Sequence, residues 1–175
     1  MVQAEPNTVD EIVLIGGAAE SNEALKQLLS QLKPGFSLPI IIVGHNIELL
    51  KGSTGFDVTP ITSESTIIPA TVYVAPSNYH LSFEKDNTFS LNGHNNPNGQ
   101  SAIDTAFSTA ADIHASAVIG IALPGAYVSG AKGLEDIKNN GGVTIVHSAD
   151  ADSIDDDVVD MVMDANGIAE YLNEL

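Results

Sequence analysis

The chain contains no cysteine among its 175 residues. A disulfide, a zinc–thiolate centre and a thiol nucleophile are therefore excluded, and the chain is compatible with a reducing compartment. Arginine is missing as well, so all six basic residues are lysines. Because only arginine offers a rigid fork of donors, bidentate clamps for carboxylates or phosphates are absent too.

Positive charge is scarce: the chain has 23 acidic residues and only six lysines, which gives a formal net charge of −17 at pH 7. Such a chain repels nucleic acid and anionic membrane surfaces, so we expect neither as a partner. The acidity itself has two interpretations that the sequence leaves open. It either keeps the protein soluble or steers a basic partner toward it.

Long hydrophobic runs are also missing. The longest, such as Pro39-Ile-Ile-Ile-Val43, fall far below the ~20 residues of a membrane-spanning helix. Residues 1–9 lack both the basic start and the apolar segment of a secretory signal. We therefore predict no membrane insertion and a cytoplasmic location. We also predict a flexible tail at residues 1–9, followed by one domain at residues 10–175.

What the chain does contain is an alternation of buried-strand and helix patterns. Short apolar, β-branched runs predict strands at residues 11–16, 39–43, 117–122 and 143–147. Helical spacing predicts helices at residues 21–32, 101–114 and 131–140, with one or two short helices in 158–175. This alternation predicts an α/β fold in three layers, with a doubly wound, mostly parallel sheet.

The middle of the chain has a different pattern. Residues 71–91 carry three short runs separated by turn residues, which predict a small antiparallel hairpin insertion. Residues 92–99 are rich in asparagine and glycine and predict a loop. We also predict a glycine-bounded loop at 123–130 and an acidic loop at 148–157.

The junction Gly16-Gly17-Ala18-Ala19-Glu20-Ser21 lies where a buried strand turns into a helix. In α/β enzymes this is the edge at which ligands bind and chemistry takes place. The junction holds no obvious nucleophile, and Ser21 is positioned to cap the helix. His45 follows the next predicted strand, so we expect its imidazole at the same edge.

Five segments, in order, resemble the CheB-type chemotaxis methylesterase domain. Residues 16–21 stand where that family has G-A-S-T-G-G, and residues 39–45 are similar to P-I-V-V-V-Q-H. Thr71-Val-Tyr-Val-Ala-Pro76 with His80-Leu81 matches V-Y-x-A-P-x-x-x-H-[LM]. Residues 101–111 and 118–134 are similar to P-S-V-D-x-L-F-x-S-A-A and V-G-V-x-L-T-G-M-G-x-D-G-A-x-G-L. The resemblance implies an α/β domain that hydrolyses glutamyl methyl esters on a chemoreceptor through a serine–histidine–aspartate triad.

Carried over residue by residue, the resemblance puts Ala18 at the nucleophile position, His45 at the base position and Ser129 at the aspartate position. It therefore implies a catalytically inactive domain that acts as a binding or regulatory module for a chemoreceptor-like or signalling protein. Ala19-Glu20-Ser21 replaces T-G-G, and alanine replaces the methionine of the G-M-G loop. We expect the ligand at the strand ends, over Ala18, His45 and Ser129. The predicted binding residues around it are Gly16, Gly17, Glu20, Ser21, His80, Gly125 and Ala126.

Two other interpretations stay open. The first is an active methylesterase, esterase or amidase with a displaced nucleophile, in which Ser21, Ser129 or a water acts beside His45 as base. In the route through water, Glu20 would hold or charge the imidazole. The second is a structural domain within a larger chain.

Neither a cofactor nor a metal is expected. The chain has no G-x-G-x-x-G, and Glu20 would repel a pyrophosphate at the first turn. The acidic run at residues 150–157 lacks the glycine and the distal glutamate of an EF-hand loop. The five histidines also lack the spacing of metal ligands.

Overall fold

The computed structural model describes residues 11–45, 48, 50, 52, 54–62, 65–76, 79–93 and 101–175. The predicted tail at residues 1–9 and most of the predicted loop at 92–99 lie outside the described residues. Within the described part, seven strands form one sheet and two form a separate hairpin.

Strands and helices alternate near both ends of the described part, whereas five strands lie between its first and second α-helices. The strands of the large sheet are β1 Ile12–Gly16, β2 Ile40–Val43, β3 Asp57–Pro60, β4 Thr71–Val74, β7 Val118–Ala122, β8 Val143–His147 and β9 Met161–Met163. The hairpin consists of β5 His80–Glu84 and β6 Thr88–Asn92. The helices are α1 Asn22–Ser30, α2 Ala102–His114, α3 Tyr127–Asn139 and α4 Ala165–Asn173.

The large sheet has the strand order β3-β4-β2-β1-β7-β8-β9, and all of its pairings are parallel. Its central strands are buried along their whole length, as their unbroken Ile, Val and Leu runs predict. The chain moves from β1 to one side of the sheet and later crosses back to β7 on the other side. The order therefore reverses between β1 and β7, and the crevice at their carboxyl ends is where doubly wound folds bind ligands.

The core lies on both faces of the sheet. One face packs α2, α3 and the hairpin around side chains such as Leu14, Phe107 and Leu134. The other face packs α1 and α4 around Leu28 and Ile168. The predicted three-layer, doubly wound α/β architecture is confirmed.

The prediction of an antiparallel insertion is wrong at its first strand. β4 pairs in parallel with both β2 and β3, and its residues are buried because the sheet continues on both sides. Only β5 and β6 pair antiparallel, with Leu81 opposite Leu91. The hairpin packs on α2 through Leu81 and Phe83 and forms no part of the large sheet.

The predicted loop at residues 123–130 is too long, because α3 begins at Tyr127. Gly130 and Gly133 lie inside this helix and let it approach α2 closely. An ideal Cβ on Gly133 would lie 2.4 Å from Cβ of Phe107. These glycines are therefore packing residues and not helix breakers.

Two further differences concern the edges and the C-terminal part. The edge strand β3 has no counterpart in the prediction, and residues 161–163 form edge strand β9 where helix is predicted. Residues 148–153 of the predicted acidic loop form a short 3-10 helix. None of the helices in the described part is both long and apolar enough to cross a membrane.

Candidate functional site

The turn after β1 is tied to the neighbouring strand ends by hydrogen bonds. The backbone N–H of Gly17 donates to the carbonyl of Val43 at 2.9 Å. Ser21 is buried, accepts a hydrogen bond from the N–H of Ala18 at 2.9 Å and donates its hydroxyl proton to the carbonyl of Pro124 at 2.6 Å. Its side chain therefore joins two turns and makes no capping bond to α1, contrary to the capping prediction.

The turn after β7 lies beside the first turn. Leu123 donates its N–H to the carbonyl of Gly16 at 3.0 Å, and Ala126 donates to Leu123 at 2.9 Å. Gly125 has a φ of +85°, a conformation that favours glycine. Its N–H points at the carboxylate of Asp150, whose two oxygens lie 3.1 and 3.3 Å away.

His45 follows β2 and is 5 % exposed. Its Nδ1 lies 3.1 Å from Oδ1 of Asn22, the first residue of α1. Its Nε2 is buried and has no hydrogen-bond partner among the described residues. Burial lowers the pKa of His45 below its ordinary value, so the imidazole is neutral at pH 7.

Gly17 makes room for this imidazole. An ideal Cβ on Gly17 would lie 1.9 Å from Nε2 and 2.3 Å from Cδ2 of His45, which no side chain tolerates. Gly44, with a φ of +95°, is equally constrained, because a Cβ there would lie 2.3 Å from the carbonyl oxygen of Gly17. The two glycines allow the strand ends of β1 and β2 to carry the histidine directly against the backbone.

Glu20 is exposed, and its carboxylate lies over Gly125. Its Oε2 is 2.5 Å from the position of an ideal Cβ on Gly125. Asn22, not Glu20, lies against Nδ1 of His45. The interpretation in which Glu20 holds the imidazole is therefore wrong for this structure.

The other predicted site residues lie around this centre without contacting the imidazole by hydrogen bonds. Ser129 is exposed in the first turn of α3, and its backbone carbonyl accepts the hydroxyl proton of Ser101. His80, at the start of β5, has Nδ1 3.2 Å from the hydroxyl of Thr105 on α2. Gly16 is packed under Ile103 of the same helix.

Two residues of the site were missed by sequence reasoning. Asn22 stands next to Ser21, where a polar side chain at a helix start is usually read as part of a cap. Asp150 lies 25 residues beyond its partner Gly125, and no spacing rule connects the two. Both contacts depend on how the strand ends meet in space.

The backbone donors of the two turns are engaged in hydrogen bonds within the protein. Stabilising an oxyanion requires N–H donors that are free to point at it. The N–H groups of Gly17, Ala18, Gly125 and Ala126 are each already paired within the protein. In the part of the chain that the structure describes, no group of three or more acidic or histidine side chains is arranged to hold a metal ion.

Fold and site together define a doubly wound α/β domain with a buried histidine one strand away from the point where the strand order reverses. Residues 13–172 match the family model described as CheB methylesterase. The chain belongs to the CheB methylesterase family.

Individual relatives agree with this assignment. A Leptospira interrogans serovar copenhageni protein, with the provisional name protein-glutamate methylesterase/protein-glutamine glutaminase, is 36% identical over 145 residues, or 78% of this chain and 75% of the relative. The protein-glutamate methylesterase/protein-glutamine glutaminase 2 of Methanospirillum hungatei is 30% identical over 171 residues, covering 93% of this chain but only 47% of that protein. The crystal structure of the Thermotoga maritima CheB methylesterase catalytic domain superposes with a TM-score of 0.84 at 25% identity, covering 95% of this chain and 99% of that one.

Proposed function

We propose that this CheB-family domain binds its protein target without hydrolysing it. The observation that carries the proposal is the state of His45, whose Nε2 faces neither a hydroxyl nor a carboxylate among the described residues. A triad works only when the base takes a proton from a nucleophile within hydrogen-bond reach. The side chain of Ala18, at the position that the family resemblance gives to the nucleophile, has no proton to transfer.

The two serines that offer a displaced nucleophile are both placed unfavourably. Ser21 is committed to the carbonyl of Pro124 through its hydroxyl proton, at 2.6 Å. Ser129 is exposed on α3, and no hydrogen bond of its side chain is found in the described part of the chain. The paired backbone donors of the two turns also support binding without acyl transfer, because they offer no ready oxyanion hole.

The class of target comes from the relatives. Their names describe action on glutamate methyl esters and glutamines of proteins. We extend this target class to the present domain as a binding partner, in the form of a chemoreceptor-like or signalling protein of a chemotaxis-type system in the cytoplasm. The strand-end residues Gly17, Glu20 and Gly125 would then contact the target side chain.

One observation favours a second candidate, slow hydrolysis with water as the nucleophile. His45 is neutral at pH 7, because burial lowers its pKa, and a neutral imidazole can accept a proton from water. Sites that have lost triad members retain ~10³ to 10⁴ of acceleration in favourable cases. The burial of Nε2 counts against slow hydrolysis, since water has to reach that atom.

The test is methanol release from a peptide that carries a glutamyl methyl ester, with binding of the same peptide measured by calorimetry. We expect binding but no methanol from the wild type or from His45→Ala. The double variant A18S/S129D restores the family's triad residues, and Ala19→Ser adds a hydroxyl one residue away as a matched control. Methanol release by the double variant alone would support a retained target site. A wild-type rate that His45→Ala abolishes would establish the hydrolase instead, and absence of peptide binding would overturn the binding proposal.

A further inference from the structure

Asn22 and His45 form the one polar contact of the imidazole among the described residues. The Oδ1 of Asn22 and the Nδ1 of His45 are 3.1 Å apart. An amide oxygen is only an acceptor, so Nδ1 must carry the proton in this contact. Burial lowers the pKa of His45, and the hydrogen bond found for its ring in the described part of the chain is the one to the uncharged Asn22.

We infer that Asn22 is the positioning residue of His45: its side-chain oxygen fixes the imidazole as the Nδ1–H tautomer and turns the Nε2 lone pair toward Gly17. In water, histidine prefers the opposite tautomer, with the proton on Nε2. A partner on Nδ1 is therefore needed to reverse the preference. In this chain an uncharged amide fills that role, and among the described residues no carboxylate is bonded to the imidazole in the contacts that define the site.

The opposite assignment is less favourable. If Asn22 presented its amide N–H₂ to Nδ1, the proton would lie on Nε2, where it would be buried without an acceptor. Folded proteins avoid a buried N–H without a partner more strictly than an unused lone pair. Asn22 is also held in place, because it is the first residue of α1 and directly follows Ser21, which is bonded to both turns.

The functional significance of this tautomer rests on the proposed function, because the tautomer gives His45 an acceptor lone pair on Nε2 at the proposed target site. An uncharged orienting group also fits a domain that binds without turnover. A carboxylate would stabilise the imidazolium that forms when a base takes a proton, whereas an amide does so far less. The tautomer itself exists whether or not the domain releases methanol.

The test is nitrogen NMR of the full chain labelled with ¹⁵N-histidine at pH 8, with the His45 signals identified by their absence in His45→Gln. We expect a protonated Nδ1 and an unprotonated Nε2 in the wild type. Asn22→Ala should lose this preference and move toward the Nε2–H form. Asn166→Ala is the matched control, since its Oδ1 accepts from Gln27 of α1 and from Gln31, the residue after that helix, and it should leave His45 unchanged.

Asn22→Asp provides a second, conservative variant. It keeps an acceptor oxygen and should retain the Nδ1–H form, while its charge raises the pKa of His45 above the wild-type value. A wild-type protein with the proton on Nε2, or an unchanged tautomer in Asn22→Ala, would overturn the inference. If Asn22→Ala does not fold, an unchanged pKa of His45 in Asn22→Asp would overturn the inference instead. None of these results depends on methanol release, so a failure of the proposed function is seen separately.

Discussion

Gly17 shows at the scale of a single residue why the candidate site has its present form. The imidazole of His45 lies directly on the backbone of Gly17, in the space that a Cβ would fill. The same residue donates its N–H to Val43 and so holds the ends of β1 and β2 together. A glycine at this position is therefore required by the contact with His45 and not by its own φ, which is not positive.

We predict that Gly17→Ala displaces the imidazole and destabilises the domain. A new Cβ at 1.9 Å from Nε2 forces either the ring or the turn to move, and overpacking of this kind costs about 1–3 kcal/mol of unfolding free energy. Urea unfolding measures the loss, and the His45 signals in ¹⁵N NMR should shift. Gly35→Ala is the control, because nothing lies within 4 Å of its ideal Cβ. Equal stability of the two variants would contradict the prediction.

A second prediction at the scale of a single residue concerns Ser21. Ser21→Ala removes the bond to the carbonyl of Pro124 and leaves the N–H of Ala18 without its acceptor in a partly buried turn. We expect a loss of about 1–3 kcal/mol in unfolding free energy, measured by urea titration. Ser30→Ala removes an exposed hydroxyl that bonds to Gln27 on the same helix and should change stability by less than about 0.5 kcal/mol. If Ser21→Ala were as mild as Ser30→Ala, the link between the two turns would carry little energy.

At the scale of elements, the crossing of α2 and α3 sets the position of the turn after β7. Asp104 of α2 accepts the N–H of Gly133 at 2.8 Å, and Ser101 bonds to the carbonyl of Ser129. Gly133 lets the helices approach until a Cβ would lie 3.2 Å from the Cα of Asp104. The start of α3, and with it the Gly125 turn, is therefore fixed by a packed helix pair.

We predict that Gly133→Ala destabilises the domain although alanine is the better helix former. The gain in helix propensity is about 1 kcal/mol, whereas the clash with Cβ of Phe107 cannot be relieved by rotating a flexible side chain. The expected net loss is about 1–3 kcal/mol in thermal or urea unfolding. Glu135→Ala, at an exposed position of the same helix, is the control and should be nearly neutral. A stabilised Gly133→Ala would mean that the helices move apart easily.

The strands that can be predicted from the sequence are those that are buried on both faces of the sheet. β1, β2 and β7 can be predicted because both faces of each are covered and their sequences are apolar throughout. β8 can be predicted from its buried, apolar centre at Ile145 and Val146. β3 and β9 are edge strands with exposed residues, so their patterns resemble loop or helix. β4 was found as a strand, but its pairing partners depend on chain topology, which local pattern does not contain.

The same distinction applies to the candidate site. The turn at Gly16 and Gly17 and the position of His45 follow from the rule that parallel strands end at one edge. The partners of these residues could not be predicted, because Asn22 reaches His45 and Asp150 reaches Gly125 only after the strands have assembled. The roles of Ser129 and His80 rest on the family resemblance and stay predictions. In the described part of the chain these residues contact Ser101 and Thr105.

At the scale of the whole molecule, charge is distributed unevenly between surface and interior. The net charge of −17 is carried mainly by exposed carboxylates, and the described ion pairs of Lys132 with Asp136 and Lys138 with Asp160 neutralise few of them. The interior instead holds uncharged histidines. Burial lowers the pKa of His45 and of His114, and the Nε2 of each is buried without a hydrogen-bond partner.

We predict from these histidines that the domain loses stability between pH 7 and pH 5. Unfolded histidines take up protons near their ordinary pKa of 6.5, whereas the folded ones do so only at lower pH. As the pH falls below about 6.5, the unfolded chain therefore binds more protons than the folded one, and the free energy of unfolding decreases until the pH passes the folded pKa values. Burial raises the pKa of Asp104, which acts in the opposite direction but only near and above the ordinary carboxyl value of 3.8.

The measurement is the urea midpoint at pH 8, 7, 6 and 5, in the wild type and in the double variant His45→Gln, His114→Gln. The double variant should show a flatter dependence on pH over this range, because glutamine does not titrate. His147, whose pKa is also lowered by burial, leaves a smaller residual slope. The carboxylate of Asp160, whose pKa is lowered by its bonds to Lys138 and Thr144 against the effect of burial, adds its own loss only as the pH approaches and passes below 3.8. An identical slope in the double variant would contradict the prediction, because it would show that protonation of His45 and His114 does not cause the loss of stability.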